Sequence, residues 1–545
     1  MFPKTFVWGV ASSAYQVEGT DPDDQRGENV WDVFVREGRV FEGQNALVSC
    51  DHMHRFRQDY ALMRTLGIQA YRFSINWARL IPDGIGHVNP KAVELYRNMI
   101  LSMKENGITP YLTLFHWEFP QALQEKGGWL NPDVVEWFGY YAKTVAENFS
   151  DICENFITIN EPQCAVGLGH LSGVHAPGLK LSYEETFQIA HNLLKAHGKA
   201  VIMLRKYSVQ PVRIGYAPTG GVAYPYRDCP EDIEAARKCY FGFYNPMSNW
   251  TWNVSWFSDP VFLGHYPEEG LQKFRQWLPK ITAEDMELIH QPLDFMGQNI
   301  YNGYYVKAGE NGEPEFVTRE PGFPKTGTDW PVTPKAFYYA IKFLTEPYPN
   351  LPLYITENGM GCHDNIAPDG KVHDNDRITF LDSYIGALDK AMSEGADVRG
   401  YFLWTFLDNF EWSDGYKQRF GIVYVDYATQ RRIVKDSAFW YRGVIQSGGG
   451  TLSCNNPCNR ILFQQDLQET FDLLLQNAER AECSVQKISG SFTLHKGTER
   501  CFVKVLEGDG IINSQAVKKG DCFLLPEGLE TTDIYGELEL RLSKV

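Results

Sequence analysis

Short apolar runs rich in β-branched and aromatic residues recur along most of the chain, each followed by a longer amphipathic stretch. They fall at residues 6–10, 71–75, 110–115, 156–159, 212–216, 295–300, 353–356 and 401–406. Runs of this length and composition predict buried strands, and the stretches between them predict helices. Strands that alternate with helices must run parallel. Eight of them close most simply into a (β/α)8 barrel, an α/β fold placed here over residues 1–446.

Such a barrel brings its reactive groups to the carboxyl ends of its strands. The residues after these runs are polar and aromatic beyond what loop starts need: Tyr15, Gln16 and Glu18 after the first run, and His116 and Trp117 after the third. Asn160 and Glu161 follow the fourth, Asn299 and Tyr301 the sixth, and Glu357 the seventh. Trp404 marks the eighth, with Glu411 and Trp412 further along.

Two motifs in this set carry chemistry. Thr158-Ile159-Asn160-Glu161-Pro162 and Ile355-Thr356-Glu357-Asn358-Gly359 each put a glutamate just past an apolar run, flanked by asparagine rather than by a neutralising lysine. One such glutamate is ordinarily a solvated loop residue. A pair delivered to one mouth of a barrel is what a retaining glycosidase needs.

Beyond the barrel the pattern changes. Ser447-Gly448-Gly449-Gly450-Thr451 and Asn455-Asn456-Pro457 predict a linker over residues 447–460. In the remaining unit, residues 461–545, Phe463, Leu467, Phe471 and Leu474 share one face of a helix reaching to about residue 480. Short β-like runs follow at 501–506, 522–525 and 538–542.

Composition narrows the functions open to this chain. With 545 residues, 43% of them hydrophobic, it can bury one large core and a smaller one. A net charge of −17 without a basic stripe disfavours nucleic acid as a partner. No apolar run is long enough to cross a bilayer, and the first nine residues lack the pattern of a secretion signal, so no membrane partner and a cytoplasmic location are expected. Eleven cysteines, an odd number without paired metal-ligand spacing, suit a reducing compartment. Cys454 and Cys458 have no second Cys/His pair at finger spacing. Neither metal nor cofactor is expected, and a homo-oligomer is left open.

Further blocks carry a resemblance. Phe6-Val7-Trp8-Gly9-Val10-Ala11-Ser12-Ser13-Ala14-Tyr15-Gln16 and Trp404-Thr405-Phe406-Leu407-Asp408-Asn409-Phe410-Glu411-Trp412, with the two glutamate motifs, resemble the family 1 glycoside hydrolases, the β-glucosidase family, over nearly the whole first 445 residues. The resemblance implies that Glu357 is the nucleophile, with Arg72 and Tyr301 aimed at its carboxylate, and that Glu161 is the general acid and base. It implies a sugar held by Gln16, His116, Asn160, Asn299, Trp404 and Glu411, with the ring face of Trp412 against the pyranose and Trp330 as the platform for the leaving group. The expected reaction is double displacement on a β-glycoside, a small-molecule partner, with the anomeric configuration retained.

Within the family, Glu411 argues against the 6-phospho-glycosidases, where a serine and a downstream Lys/Tyr pair are expected. A glutamate at 161 argues against the thioglucosidases, where glutamine is expected. His170, Glu118 and Asn76 depart from the family pattern and leave glucose versus galactose or fucose, and the leaving group, open. A 6-phospho-β-glycosidase, a transglucosidase and a non-catalytic sugar-binding protein are the competing readings.

Glu507-Gly508-Asp509-Gly510 and the stretch from Lys519 to Gly528 resemble the cupin-like end domain of bacterial mannose-6-phosphate isomerases. His495 is the one histidine beyond Ile445, so a metal-binding imidazole cluster cannot be assembled there, and the unit is expected to be non-catalytic. A structural lid, a subunit contact and a carbohydrate-binding module are the roles considered for it.

Overall fold

A computed structural model of the protein describes residues 2–244, 250–348 and 351–449, and then the segments 483–495, 501–512, 515–519, 522–525 and 531–544. The chain divides into two compact units, Met1–Thr451 and Leu452–Val545.

The first unit is a (β/α)8 barrel, as the eight apolar runs predict. Its strands are β1 (Val7–Ala11), β2 (Ala70–Ser74), β3 (Thr109–Phe115), β4 (Asn155–Asn160), β5 (Arg213–Ala217), β6 (Phe295–Asn299), β7 (Leu353–Asn358) and β8 (Val398–Trp404). Each pairs in parallel with its neighbour in sequence, and β8 closes on β1 with Trp8 opposite Tyr401 and Ala11 opposite Trp404.

Large and small side chains fill the barrel interior by turns. Ala11, Ala70 and Ala217 leave room for Tyr111, Phe295, Tyr354 and Phe402. A Cβ on Gly215 would lie 2.2 Å from the Phe295 ring, and one on Gly400 2.6 Å from the Tyr354 ring, so these strands need glycine to accept the aromatic layer.

The helices show why these segments close around the sheet. Pro90–Glu105 starts with proline at its first turn, is capped by Asn89 through Lys91 N at 3.1 Å, and buries Ala92, Tyr96, Met99, Ile100 and Met103. Tyr183–Tyr207 opens with a reciprocal capping box between Ser182 and Glu185. Burying a side chain the size of Leu or Phe stabilises by about 1.5–3 kcal/mol, so these apolar stripes, more than helix propensity, hold the outer ring.

Three register shifts fall where the chemistry is expected. They lie between Ile157 and Asn160 in β4 against β5, between Ile355 and Glu357 in β7 against β6, and between Ile355 and Asn358 in β7 against β8. A bulge bends the strand and re-aims the next side chain. Strand ends differ accordingly from the apolar runs: β4 extends to Asn160 and β7 to Asn358, so that Glu357 lies inside β7, because backbone pairing continues past the apolar residues, whereas β6 stops at Asn299, one residue short of its run.

The segment after β8 rests on buried ion pairs. Lys435 Nζ meets Asp408 Oδ1 at 2.7 Å and Asp364 Oδ2 at 2.5 Å, Arg419 Nη1 meets Asp408 Oδ2 at 2.8 Å, and Arg377 Nη2 meets Asp364 Oδ2 at 2.7 Å. Every charge there has a partner, as burial demands. The loop carrying Glu411 and Trp412 is anchored at Asp408. Among the described residues no helix is long and apolar enough to cross a membrane.

In the second unit, strand Thr531–Lys544 pairs antiparallel with Cys483–His495 and with Cys501–Ile512. The latter also pairs with Gln515–Lys518 and with Cys522–Leu525. Glu507-Gly508-Asp509-Gly510, which reads as a turn in the sequence, lies inside a strand. A register shift between Val505 and Glu507 and a φ of +90° at Gly508 absorb it, and Gly510 faces Gly536. The helix predicted to run from Phe463 to about residue 480, most of the predicted linker, and Cys454 and Cys458 lie outside the described residues.

Candidate active site

Glu161 directly follows β4 in a left-handed conformation, φ +39° and ψ 69°, with its backbone N–H donating to Ala217 O at 2.8 Å. It occupies the N-cap of the short helix Pro162–Cys164, yet its carboxylate caps none of that helix's N–H groups. Asn299 Nδ2 donates to Oε1 at 2.9 Å, and the Cys164 thiol lies 3.1 Å from Oε2. The side chain is buried. Burial first, and the neighbouring Glu357 charge second, push its carboxyl up to about 7.

Glu357 is buried too, but in different company. Arg72 Nη1 donates to Oε1 at 2.5 Å and Tyr301 Oη donates to Oε2 at 2.8 Å. Burial raises this carboxyl as well, and the Arg72 guanidinium and the Tyr301 hydroxyl offset part of that rise, leaving it above the ordinary carboxylate range. Of the two, Glu357 therefore gives up its proton first, and Glu161 keeps one near neutrality.

A single hydrogen-bonded network orients both. Arg72 Nη2 donates to Asn160 Oδ1 at 2.5 Å, and Asn299 Nδ2 reaches the same oxygen at 3.0 Å. Thr356 Oγ1 donates to Asn299 Oδ1 at 2.7 Å, which turns the Asn299 amide so that its N–H side faces Glu161. With Asn160 Oδ1 doubly engaged, Asn160 Nδ2 donates to His116 Nε2 at 3.1 Å. That contact leaves the proton of neutral His116 on Nδ1, a buried atom without a partner among the described residues. Burial, then Arg72, hold His116 well below the usual histidine range, so it is neutral.

The aromatic wall lies beside this network. His116 stacks on Trp404, centroids 5.7 Å apart, and on Trp412 at 6.0 Å, while Trp412 also stacks on Tyr15 at 6.1 Å. Gln16 Nε2 donates to Phe410 O at 2.9 Å and lies 3.3 Å from Glu411 Oε2. Burial, and then Asp414, Glu357 and Glu161, push the Glu411 carboxyl up to about 8. Trp330 is 38% exposed, with its ring 5.3 Å from Tyr301 and 6.0 Å from Phe420.

Direct contacts thus join Arg72, His116, Asn160, Glu161, Asn299, Tyr301, Trp330, Glu357, Trp404 and Trp412 into a connected rim at the carboxyl ends of the strands, and Gln16 and Glu411, in contact with each other, adjoin it through their chain neighbours Tyr15 and Trp412. Three family departures lie outside it. His170 is buried and bonds Ala165 O through Nδ1 at 2.8 Å, Glu118 is buried against Tyr15 N and Ser74 Oγ, and Asn76 caps helix Trp77–Leu80 through Arg79 N. Their side chains serve the scaffold.

Cys164, Thr356 and Thr113, whose Oγ1 accepts from Arg72 Nε at 3.3 Å, were not singled out from the sequence. Cys164 was findable, since a residue three positions into a helix shares a face with its N-cap. The hydroxyls were not, because the strand register that aims them is unmarked in the sequence. Among the described residues no group of three His, Cys, Asp or Glu could hold a metal ion.

Known proteins resemble this chain closely. Beta-glucosidase A of Thermotoga maritima is 42% identical over 449 residues, spanning 82% of this chain and 98% of that protein. Beta-glucosidase A of Acetivibrio thermocellus is 38% identical over 454 residues, spanning 82% and 99%. The solved structure of the Thermotoga maritima β-glucosidase in complex with deoxynojirimycin matches with a TM-score of 0.75 at 42% identity, covering 82% of this chain and 99% of that one. The sequence pattern of Glycosyl hydrolase family 1 matches residues 1–449, almost the whole of the first unit. The chain belongs to glycosyl hydrolase family 1.

Proposed function

We propose that the chain is a retaining β-glucosidase that releases terminal, unphosphorylated β-glucosyl residues, with Glu357 as nucleophile and Glu161 as general acid and base. One observation carries the reading. Two buried carboxyls share one network, Glu357 facing a guanidinium and a phenol, and Glu161 facing an amide, a thiol and the charge of its neighbour. That asymmetry supplies one ionised and one protonated group at neutral pH.

Glu357 attacks the anomeric carbon while Glu161 protonates the departing oxygen. Glu161 then takes a proton from the water that displaces Glu357, and the configuration is retained. The geometry requires the carboxyls about 5–5.5 Å apart. The second N–H of Asn160 is available to donate to a sugar hydroxyl. Gln16 and Glu411 supply further polar partners, Trp404 and Trp412 an aromatic wall, and exposed Trp330 the platform for the leaving group.

A phosphorylated sugar is disfavoured on two grounds. The ionised Glu357 would repel a phosphate dianion while Glu411, a carboxyl rather than a cation, offers it no compensating charge, and two cations downstream of Glu411 are engaged: Arg419 on Asp408 and Val425 O, Lys417 over the Phe41 ring. We further assign residues 1–446 to catalysis, 447–460 to a linker, and 461–545 to a non-catalytic, cupin-like unit. Its antiparallel sheet supports a mostly-β fold. The unpaired Cys50, Cys153, Cys164, Cys229, Cys239 and Cys362 support a reducing, cytoplasmic setting.

A chromogenic aryl β-glucoside assay tests the reading. Wild type should turn over and Glu357→Ala should not, with β-glucose the first product by NMR. Equal inactivity of both proteins would leave a sugar binder, and α-glucose as first product would exclude a retaining mechanism. Cutting the chain after Gln446 tests the second unit: unchanged stability, mass and kinetics would dismiss a lid, a subunit contact and a binding module alike.

A further inference from the structure

The network around Glu161 contains a group that the two-carboxylate mechanism does not use. Cys164 Sγ lies 3.1 Å from Glu161 Oε2, and the Cys164 backbone N–H donates to Glu161 O at 3.0 Å. One turn of helix, opened by Pro162, therefore folds the thiol back onto the carboxyl of its own N-cap residue. The side chain is buried. Oε1 and Oε2 are thus held from opposite sides, by an amide from β6 and a thiol from the chain that follows β4.

We propose that Cys164 is a positioning residue for the acid–base step, its S–H holding Glu161 Oε2 and setting the proton affinity of that carboxyl. The inference rests on the role proposed for Glu161. Among the described residues Cys164 is the one hydrogen-bond partner of Oε2, whereas Oε1 is tied to Asn299. Without the thiol, the carboxyl could rotate about its last bond, in a residue whose backbone is already left-handed.

The chemistry of sulfur suits a group that must change protonation state twice per turnover. A thiol is a weak donor, so it steadies the carboxylate without stabilising it as strongly as a hydroxyl or an ammonium would. Turning its S–H away, it can accept weakly from the protonated carboxyl. It does not compete as an acid or a nucleophile: burial, then the charges of Glu161 and Glu357, hold it well above the usual thiol range.

Three proteins and two substrates test the proposal. Wild type, Cys164→Val, which fills similar space without a donor, and Cys164→Ser are assayed across pH on a phenyl and on a 2,4-dinitrophenyl β-glucoside. Losing a donor to the charged form raises the carboxyl's proton affinity, so in Cys164→Val the alkaline limb of kcat/KM should move up by about half a pH unit or more. Its plateau should fall about fivefold on the phenyl substrate, which needs protonation of the leaving group, and far less on the dinitrophenyl one.

Cys164→Ser, which puts a stronger donor in the same place, should return the limb to that of wild type or to lower pH. A limb unmoved in Cys164→Val, or an equal loss on both substrates, would mean that the thiol only fills space and would overturn the proposal. Failure of the wild type itself on both substrates would instead overturn the β-glucosidase reading, and this inference with it.

Discussion

Glu161 and Glu357 are the same side chain in two neighbourhoods that strands more than a third of the chain apart bring together. Burial acts alike on both, since each is almost fully removed from water. What differs is the partner set. Glu357 receives a full positive charge and a phenol hydroxyl from β2 and from the turn after β6. Glu161 receives neutral donors, the repulsion of Glu357 and, as its smallest influence, a pull from Arg72 without contact. Two equivalent carboxyls acquire unlike protonation because a single arginine points at one and not at the other.

The ends of that contrast should respond unequally to mutation. Glu357→Ala removes the bond-forming atom and should lower kcat on every aryl glucoside, on the order of 10⁴-fold or more. Glu161→Ala should cost roughly 10²–10⁴-fold on poor leaving groups and much less on activated ones, and its kcat/KM profile should lose the alkaline limb. In wild type that limb falls as pH rises through about 7, where Glu161 gives up its proton.

Arg72→Met should blur the contrast most among the supporting residues. Without the guanidinium, Glu357 rises toward Glu161, so the acidic limb moves to higher pH and the bell narrows. Removing one member of a buried pair costs about 3–5 kcal/mol, and kcat/KM should drop on the order of 10²-fold or more. An unmoved acidic limb would show that Arg72 does not set the ionisation of Glu357.

Tyr301→Phe deletes one hydrogen bond to a charged group. It should reduce kcat/KM about tenfold, with a smaller shift of the acidic limb in the same direction. Ser182→Ala, in the capping box of helix Tyr183–Tyr207, provides the baseline. It should lower stability by about 1 kcal/mol in denaturant melts and leave both limbs in place.

Much of this arrangement can be read before any coordinates. Eight apolar runs forecast eight barrel strands, and the rule that chemistry gathers at their carboxyl ends picks out Gln16, His116, Asn160, Glu161, Asn299, Glu357 and Trp404 as neighbours. Hydrophobic spacing reports which face is buried, but not the register between strands. The bulges in β4 and β7, the Thr356 hydroxyl on Asn299 and the committed orientation of Asn160 were therefore illegible.

His170 shows a different limit. Its place after Gly169 suggests the outer rim, while the helix Ala165–Leu171 turns its ring inward onto Ala165 O. In the second unit, glycines that read as turns lie within strands, because a bulge accommodates Gly508 and cross-strand pairing accommodates Gly510.

The assignment of roles can be tested by supplying an outside nucleophile. With a dinitrophenyl β-glucoside and azide, Glu357→Ala should yield α-glucosyl azide, because azide takes the place of the missing nucleophile. Glu161→Ala should yield β-glucosyl azide, because azide replaces water in attack on the enzyme-bound sugar. The opposite pairing of products, or no azide adduct from either variant while wild type hydrolyses the substrate, would contradict the division of labour between the two carboxyls.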